Sequence, residues 1–316
     1  INVCMFEIKR YTPHDKAAWD EYVSRARNAT FLFYRNYMDY HSDRFHDYSL
    51  MFYRNGKLHS LLPAHCSDDV FYSHFGLTYG GLIMDRHVTA VETCHLFEEL
   101  GDYLRLKGFK RVLYKAIPWI YHQMPSEEDL YALFWKCGAK LYTRNIGTTI
   151  FIQQHLKWRR NHLRQLKKAR LNGISVQRGA DIAEFWPVLE EHLHQRYQSK
   201  PVHTLAEMQL LQSNFPQNII QYNAYKDSHI VGGVTIYLSQ QVVHAQYSSG
   251  NDEGMASGAM EIIYDKIMCE DYPDYAYLDL GSSTEQGCSV INEGLIGFKE
   301  GFGGRAVVYD TYEWGL

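Results

Sequence analysis

The sequence has no apolar run approaching the roughly 18–20 residues that cross a bilayer, so no membrane-spanning helix is expected. No signal-peptide pattern opens it, and its first residue is Ile rather than Met, as expected of a trimmed N-terminus. Six cysteines, at 4, 66, 94, 137, 269 and 288, are scattered with no CxxC pair and no metal-ligand spacing. They read as reduced thiols of a cytoplasmic protein. Acid is missing from one long stretch: between Leu130 and Ala180 there is no Asp or Glu, while Lys and Arg number eleven. With a net charge of −4 overall, the rest of the chain therefore carries −15. One basic belt in an acidic protein points to an anionic ligand, or to a belt docked on acidic surface of the same fold.

What is present is ordinary for a globular protein, with 46% apolar and 22% charged residues, and 316 residues suit two domains or one large one. Periodicity predicts a strand at residues 3–9, a helix at 14–26 and more helix through 34–45. Strand-like runs at 49–53, 57–65 and 70–75 follow, with Asn55-Gly56 as a hairpin turn. The loop GLTYGGL leads to an amphipathic helix ending near Lys107-Gly108, then a strand at 111–117, a helix at 130–136 and a hairpin-like pair at 140–142 and 148–152. The second half repeats the order. It has a strand at 174–177, a helix from Asp181 with Glu184 completing its cap, and a helix opened by Thr204 and Glu207. Pro187 weakens the first of these helices, since proline costs roughly 3 kcal/mol inside one. Strands at 218–226, 229–238 and 241–248, the loop SSGNDEGMASG and a helix at 259–269 come next.

The last third holds the densest chemistry. Tyr275–Gly304 reads as a strand to Leu280, a polar loop opened by Gly281-Ser282-Ser283, and a helical pattern through Val290, Ile291, Leu295 and Phe298. That pattern stops at glycines 301, 303 and 304 and delivers Lys299 just before them. Asp279 alternates with Leu278 and Leu280 and so faces away from them, either as a base or as the orienter of one. His192, His194 and His203 beside Glu190 and Glu191 invite a metal reading. Residues 192 and 194 point about 200° apart on a helix, however, unlike the i, i+4 pair of a zinc site, and no metal is expected.

Strand, two helices, three meandering strands, helix, strand, helix, strand is the order of the GNAT acyltransferase fold. Its duplication resembles the Fem-type peptidyl transferases and related double-GNAT acyltransferases. The resemblance is carried by LDLGSS with GFKEGFGG (278–304), by the basic segment HLKWRRNHLRQLKKARLNGISV, and by KPVHTLAEMQLLQSNFPQNIIQYNAYKDSHIVGGVTIY. The first half shares only the order of elements and the YGG loop. The expected fold is thus α+β, two tandem GNAT domains, each a mixed, mostly antiparallel sheet flanked by helices. Its expected parts are residues 1–153 (acceptor side), a basic connecting helix at 154–172, and residues 173–316 (donor side).

The resemblance implies direct transfer of an acyl group from a thioester or ester to an amine, with the acceptor in a cleft between the halves. Acyl-CoA (acetyl-CoA) is the expected donor. The acceptor is an amine of a small molecule, a sugar nucleotide or a cell-envelope precursor. Phe298-Lys299 matches the Phe-Lys pair near the Fem-type transfer centre, which gives Lys299 the oxyanion or a donor phosphate. Alternatively, a lysine in the last turn only complements the helix dipole. Tyr247 is a candidate proton donor to the leaving thiolate. Asn251, Gly254, Ala256 and Gly258 stand where a GNAT pyrophosphate loop would lie, although Asp252 and Glu253 put acid there and suit an ordinary strand-to-helix connection. Tyr79, Arg196, His203 and Phe298 are the candidate substrate contacts. The basic segment, with seven Lys or Arg in residues 157–170, admits aminoacyl-tRNA as donor, but a solvated helix of this composition needs no nucleic acid. A non-catalytic GNAT-fold binding or scaffold protein is the remaining alternative.

Overall fold

The structure, a computed structural model, describes residues 5–316, so Val3 of the expected first strand and Cys4 lie outside the described residues. The chain forms two compact units, Ile1–Asn145 with Val308–Leu316, and Ile146–Val307. Among the described residues no helix is long and apolar enough to cross a membrane.

The first unit begins with β1 (Glu7–Arg10), α1 (Lys16–Arg25) and the short α2 (Arg35–Met38). The helix expected through residue 45 is reduced to this turn and a following 3-10 turn, Asp39–His41. Strands β2 (His46–Asp47), β3 (Leu50–Arg54), β4 (Lys57–Leu62), β5 (His65–Ser67), β6 (Val70–Tyr72) and β7 (Ile83–Met84) follow. Asn55 and Gly56 both take positive φ, 51° and 73°, so β3 and β4 are joined by the two-residue hairpin that Asn-Gly favours. Helix α3 (Ala90–Leu106) starts in a Thr89–Glu92 capping box, and β8 (Arg111–Lys115) and α4 (Glu128–Trp135) succeed it. Leu96, Phe97, Leu100 and Leu104, one stripe of α3, bury against Phe71, Val112, Tyr114 and Trp314.

The hairpin expected at residues 140–152 is instead one strand, β9 (Lys140–Phe151). The strand runs unbroken from 140 to 151, and no residue from 143 to 147 takes a positive φ. Arg144 is anchored by two 2.7 Å bonds to Asp310 in the first unit, and Gly147 pairs with Ser282 in the second.

The second unit contains α5 (Arg160–Leu171), β10 (Ser175–Arg178), α6 (Ile182–Tyr197) and α7 (Leu205–Asn214). Asp181 caps α6 by accepting from the Ala183 amide, while Glu184, expected in that cap, accepts from Tyr225 Oη instead. Pro187 sits inside α6, whose buried Phe185, Trp186 and Leu189 hold it in place. Thr204 and Glu207 form the expected capping box on α7. Strands β11 (Ile219–Lys226), β12 (His229–Leu238) and β13 (Val242–Gly250) meander antiparallel, and β14 (Tyr277–Ser282) pairs parallel with β13. Between these last two lie α8 (Asp252–Ser257) and α9 (Ala259–Lys266), so the expected glycine loop is already helical from Asp252. Val290 and Ile291 belong not to a helix but to a small ribbon, β15 (Thr284–Glu285) with β16 (Val290–Ile291). Asn292 then caps α10 (Glu293–Glu300), and β17 (Arg305–Gly315) runs through both units. Helices α5 and α9 cover one face of this sheet, where Leu166, Val234, Ile236, Val243, Ala245, Ile263, Leu278 and Leu280 share a core.

Candidate active site

The site grows from a break in the sheet. Strands β13 and β14 pair over three residues only, Val242↔Tyr277 to His244↔Asp279, although β13 continues to Gly250 and β14 to Ser282. In the same strand the register with β12 skips Gln246, since Ala245 faces Ile236 and Tyr247 faces Thr235. This bulge decides which side chains share a face. Three residues apart on a regular strand, His244 and Tyr247 would point oppositely; the extra residue puts both on the face away from Val243 and Ala245.

Asp279 is fully buried, with an exposure of 0%. Its Oδ2 accepts from His244 Nδ1 at 2.8 Å, and its Oδ1 accepts from the Gly281 amide at 3.0 Å and from Thr149 Oγ1 at 3.3 Å. A carboxylate so enclosed is held by its neighbours rather than by solvent. His244 is a residue that sequence reasoning missed. The only signal was its setting in VVHAQ, an imidazole alternating with apolar residues as Asp279 alternates with leucines, and the cross-strand register that joins the two is not legible from one chain.

Lys299, in the last turn of α10, reaches back to β14, where Nζ donates to the carbonyl oxygens of Ser282 at 2.7 Å and Gly281 at 3.1 Å. Burial pulls its ammonium down to about 8, against an opposing pull from Asp279. Gly281 thus links the parts, with its amide on Asp279 and its carbonyl on Lys299, and a Cβ placed on it would lie 3.6 Å from His244 Cε1. The sequence-predicted Lys299 and Asp279 come together here.

The other candidates are placed differently. Tyr247 Oη donates to His203 Nδ1 at 2.7 Å and accepts from the His203 amide at 3.2 Å, so these two residues form their own pair; burial pushes the phenol up to about 12. Phe298 packs edge-on to His162 and Phe302. Arg196 is exposed at the end of α6. Tyr79 is buried within the first unit, bonded to Thr30 Oγ1 at 3.0 Å and in tilted ring contact with Tyr121.

The four loop residues have internal partners. Asn251 Oδ1 accepts the Gly254 amide at 2.8 Å. A Cβ on Gly254 would lie 1.9 Å from the Val231 carbonyl oxygen, so close packing on β12 demands glycine there. Gly258 bends the chain between α8 and α9 at φ +87° against the Gln165 carbonyl, and the Ala256 carbonyl accepts from Lys168 Nζ at 2.8 Å. Glu253 binds Lys226 and His229. Among the described residues no cluster of three or more His, Cys, Asp or Glu is arranged to hold a metal ion.

The chain has a Fem-like, GNAT-type fold. The chain matches FemX with a TM-score of 0.69 over 98% of this chain and 97% of that one, at 9% identity. It is also similar to L-PGS from Bacillus licheniformis, with a TM-score of 0.62, 9% identity, and 95% and 91% of the two chains covered. A tandem GNAT protein from the clavulanic acid biosynthesis pathway gives a TM-score of 0.52 at 8% identity, covering 98% of each chain. No protein-family model matches, and no curated protein sequence matches.

Proposed function

We propose that this protein is a tandem-GNAT N-acyltransferase, moving an acyl group from acyl-CoA to an amine of a small molecule, sugar nucleotide or envelope precursor. The observation that carries the reading is Lys299, a partly desolvated cation held by two main-chain carbonyls where β13 and β14 part. There it meets the negative charge that develops on the carbonyl oxygen during attack, in a setting where such charge is stabilised far better than in water. The α8 start, carrying Asp252 and Glu253 with its Gly254 amide already bonded, offers a donor phosphate little. Cations for the donor's anionic end come instead from α5, which packs on α10 through a bond from His162 to the Phe298 carbonyl, beside one from the preceding Arg159 to the Gly297 carbonyl.

A second reading, with aminoacyl-tRNA as donor, is favoured by the solvent-exposed Arg160, Arg164 and Lys167 on α5. Lys168 and Arg170 are engaged with Ala256 and Asp265, so they test helix packing rather than RNA. Thermal melts with coenzyme A and acetyl-coenzyme A separate the readings. A ligand at a hundred times its dissociation constant adds about 2.7 kcal/mol, an easily seen rise in Tm. A rise supports acyl-CoA. No rise at millimolar ligand, with salt-sensitive RNA binding that Arg160→Ala, Arg164→Ala and Lys167→Ala together abolish, transfers the donor role to charged tRNA. Absence of both responses sinks the transferase reading and leaves a scaffold protein.

A further inference from the structure

Two imidazoles of the second unit are held by buried carboxylates, and they differ in what they have left to offer. His162 has both ring nitrogens taken, Nδ1 by Glu261 at 2.8 Å and Nε2 by the Phe298 carbonyl at 3.1 Å, and its ring lies tilted against Phe302 in the core. It is a strut. His244 is tied through Nδ1 alone, to Asp279, and that carboxylate is fixed from two further directions by Gly281 and Thr149. A carboxylate at Nδ1 places the proton on that nitrogen and makes Nε2 the ring's acceptor. The His244 side chain keeps 11% of its exposure where Asp279 keeps none, so the ring edge, not the acid, meets the solvent side of the pair. The position is also distinctive. His244 and Asp279 are the last paired residues before the strands part, and Lys299 is bonded to the next turn of the same strand.

We infer that His244 is the general base for acyl transfer and that Asp279 is its positioning residue. This rests on the transferase reading. The acceptor's nitrogen bonds to the donor's carbonyl carbon while Nε2 takes a proton from that nitrogen, and the oxygen becomes an anion facing Lys299. Collapse of the adduct re-forms the carbonyl and breaks the bond from carbon to sulfur. The leaving thiolate then takes the proton from the imidazolium, which restores the neutral ring. No residue is consumed, and the products are an amide and a thiol. Other ionisable groups facing the pair come from neighbouring elements: Tyr237 opposite His244 on β12, and Lys299 on α10.

The test uses the full chain, acetyl-coenzyme A and a panel of primary amines, with thiol release as readout, and runs charged tRNA with the same amines in parallel, read by loss of the aminoacyl group from the tRNA. His244→Ala is expected to lower kcat by about 10²–10⁴-fold, the usual contribution of a positioned base. KM for the donor should change little, and added imidazole should restore part of the rate. His244→Gln, which can still donate to Asp279, guards against a folding defect and should be as slow. Asp279→Asn should shift the acidic limb of the pH–rate profile and slow modification of His244 by diethyl pyrocarbonate, which a merely structural carboxylate would not do. A folded His244→Gln protein with unchanged kcat and pH profile overturns the base assignment and leaves the transferase reading standing. A wild-type protein that releases no acyl group from either donor overturns both.

Discussion

Lys299 works under two opposed constraints. Desolvation lowers its ammonium to about 8, and the proposed oxyanion role needs it charged. Turnover is therefore expected to fall as the pH rises through about 8, as the cation is lost. Lys299→Met, which keeps length but not charge, should reduce kcat by about 10²–10³-fold, in the range of a lost oxyanion partner. Stability should move the other way. A lysine whose folded-state value lies below its ordinary 10.5 is a cost to folding at neutral pH, relieved only as pH climbs from about 8 towards 10.5. The methionine variant should thus melt no lower than wild type at pH 7, and a lower Tm with parallel loss of activity would mark Lys299 as structural. Tyr247 has the contrary profile, its hydroxyl locked to His203. Tyr247→Phe should cost about 1 kcal/mol in a urea melt through the lost buried bond and change kcat less than tenfold. A hundredfold loss would restore it as the proton donor.

At the level of the element, the bulge in β13 decides the site. Deleting Gln246 would restore a regular register with β12 and turn either His244 or Tyr247 into the apolar face with Val243 and Ala245. A protein lacking Gln246 should melt well below wild type and lose transfer activity. The α8 start gives a second check. Gly254→Ala should lower Tm without any ligand present, because its Cβ would collide with Val231. Equal stability, with loss only of coenzyme A binding, would return this segment to the donor. Much of the fold was legible from periodicity and punctuation: Asn55-Gly56, the Thr204–Glu207 cap and the three-strand meander all stand as the residues suggest. Two of the failures share a cause: the strand β9 and the pairing of His244 with Asp279 depend on partners far away in sequence. The ribbon at Val290-Ile291 is instead a local pairing with Thr284-Glu285, too short to show in the periodicity. Lys299 was legible because its spacing to a glycine stop is local.

For the molecule as a whole, sensitivity to acid is concentrated in the first unit. His41, His65 and His74 lie in ring contact there, with centroids 5.1 Å (His41–His74) and 5.5 Å (His65–His74) apart, beside Lys115, Arg35 and Arg44 with Asp43 and Asp47. Burial pulls all three below the ordinary imidazole value, His65 to about 4, and does the same to His59 and His122. Their stabilising neutrality is complete above pH 6.5 and is lost as pH falls towards 4. Limited proteolysis at pH 5, read by mass spectrometry, should cut the first unit before residues 146–307, and the reverse order would refute this. The last nine residues, Val308–Leu316, bear on a different matter, the order of synthesis. They belong to the first unit, where Thr311–Gly315 pairs with β8 and Trp314 fills the core. A ribosome therefore begins the first unit first and completes it last, after the whole of residues 146–307 has been made. The nascent chain holds an unfinished core open during that interval, while the second unit, one unbroken stretch, has every residue it needs.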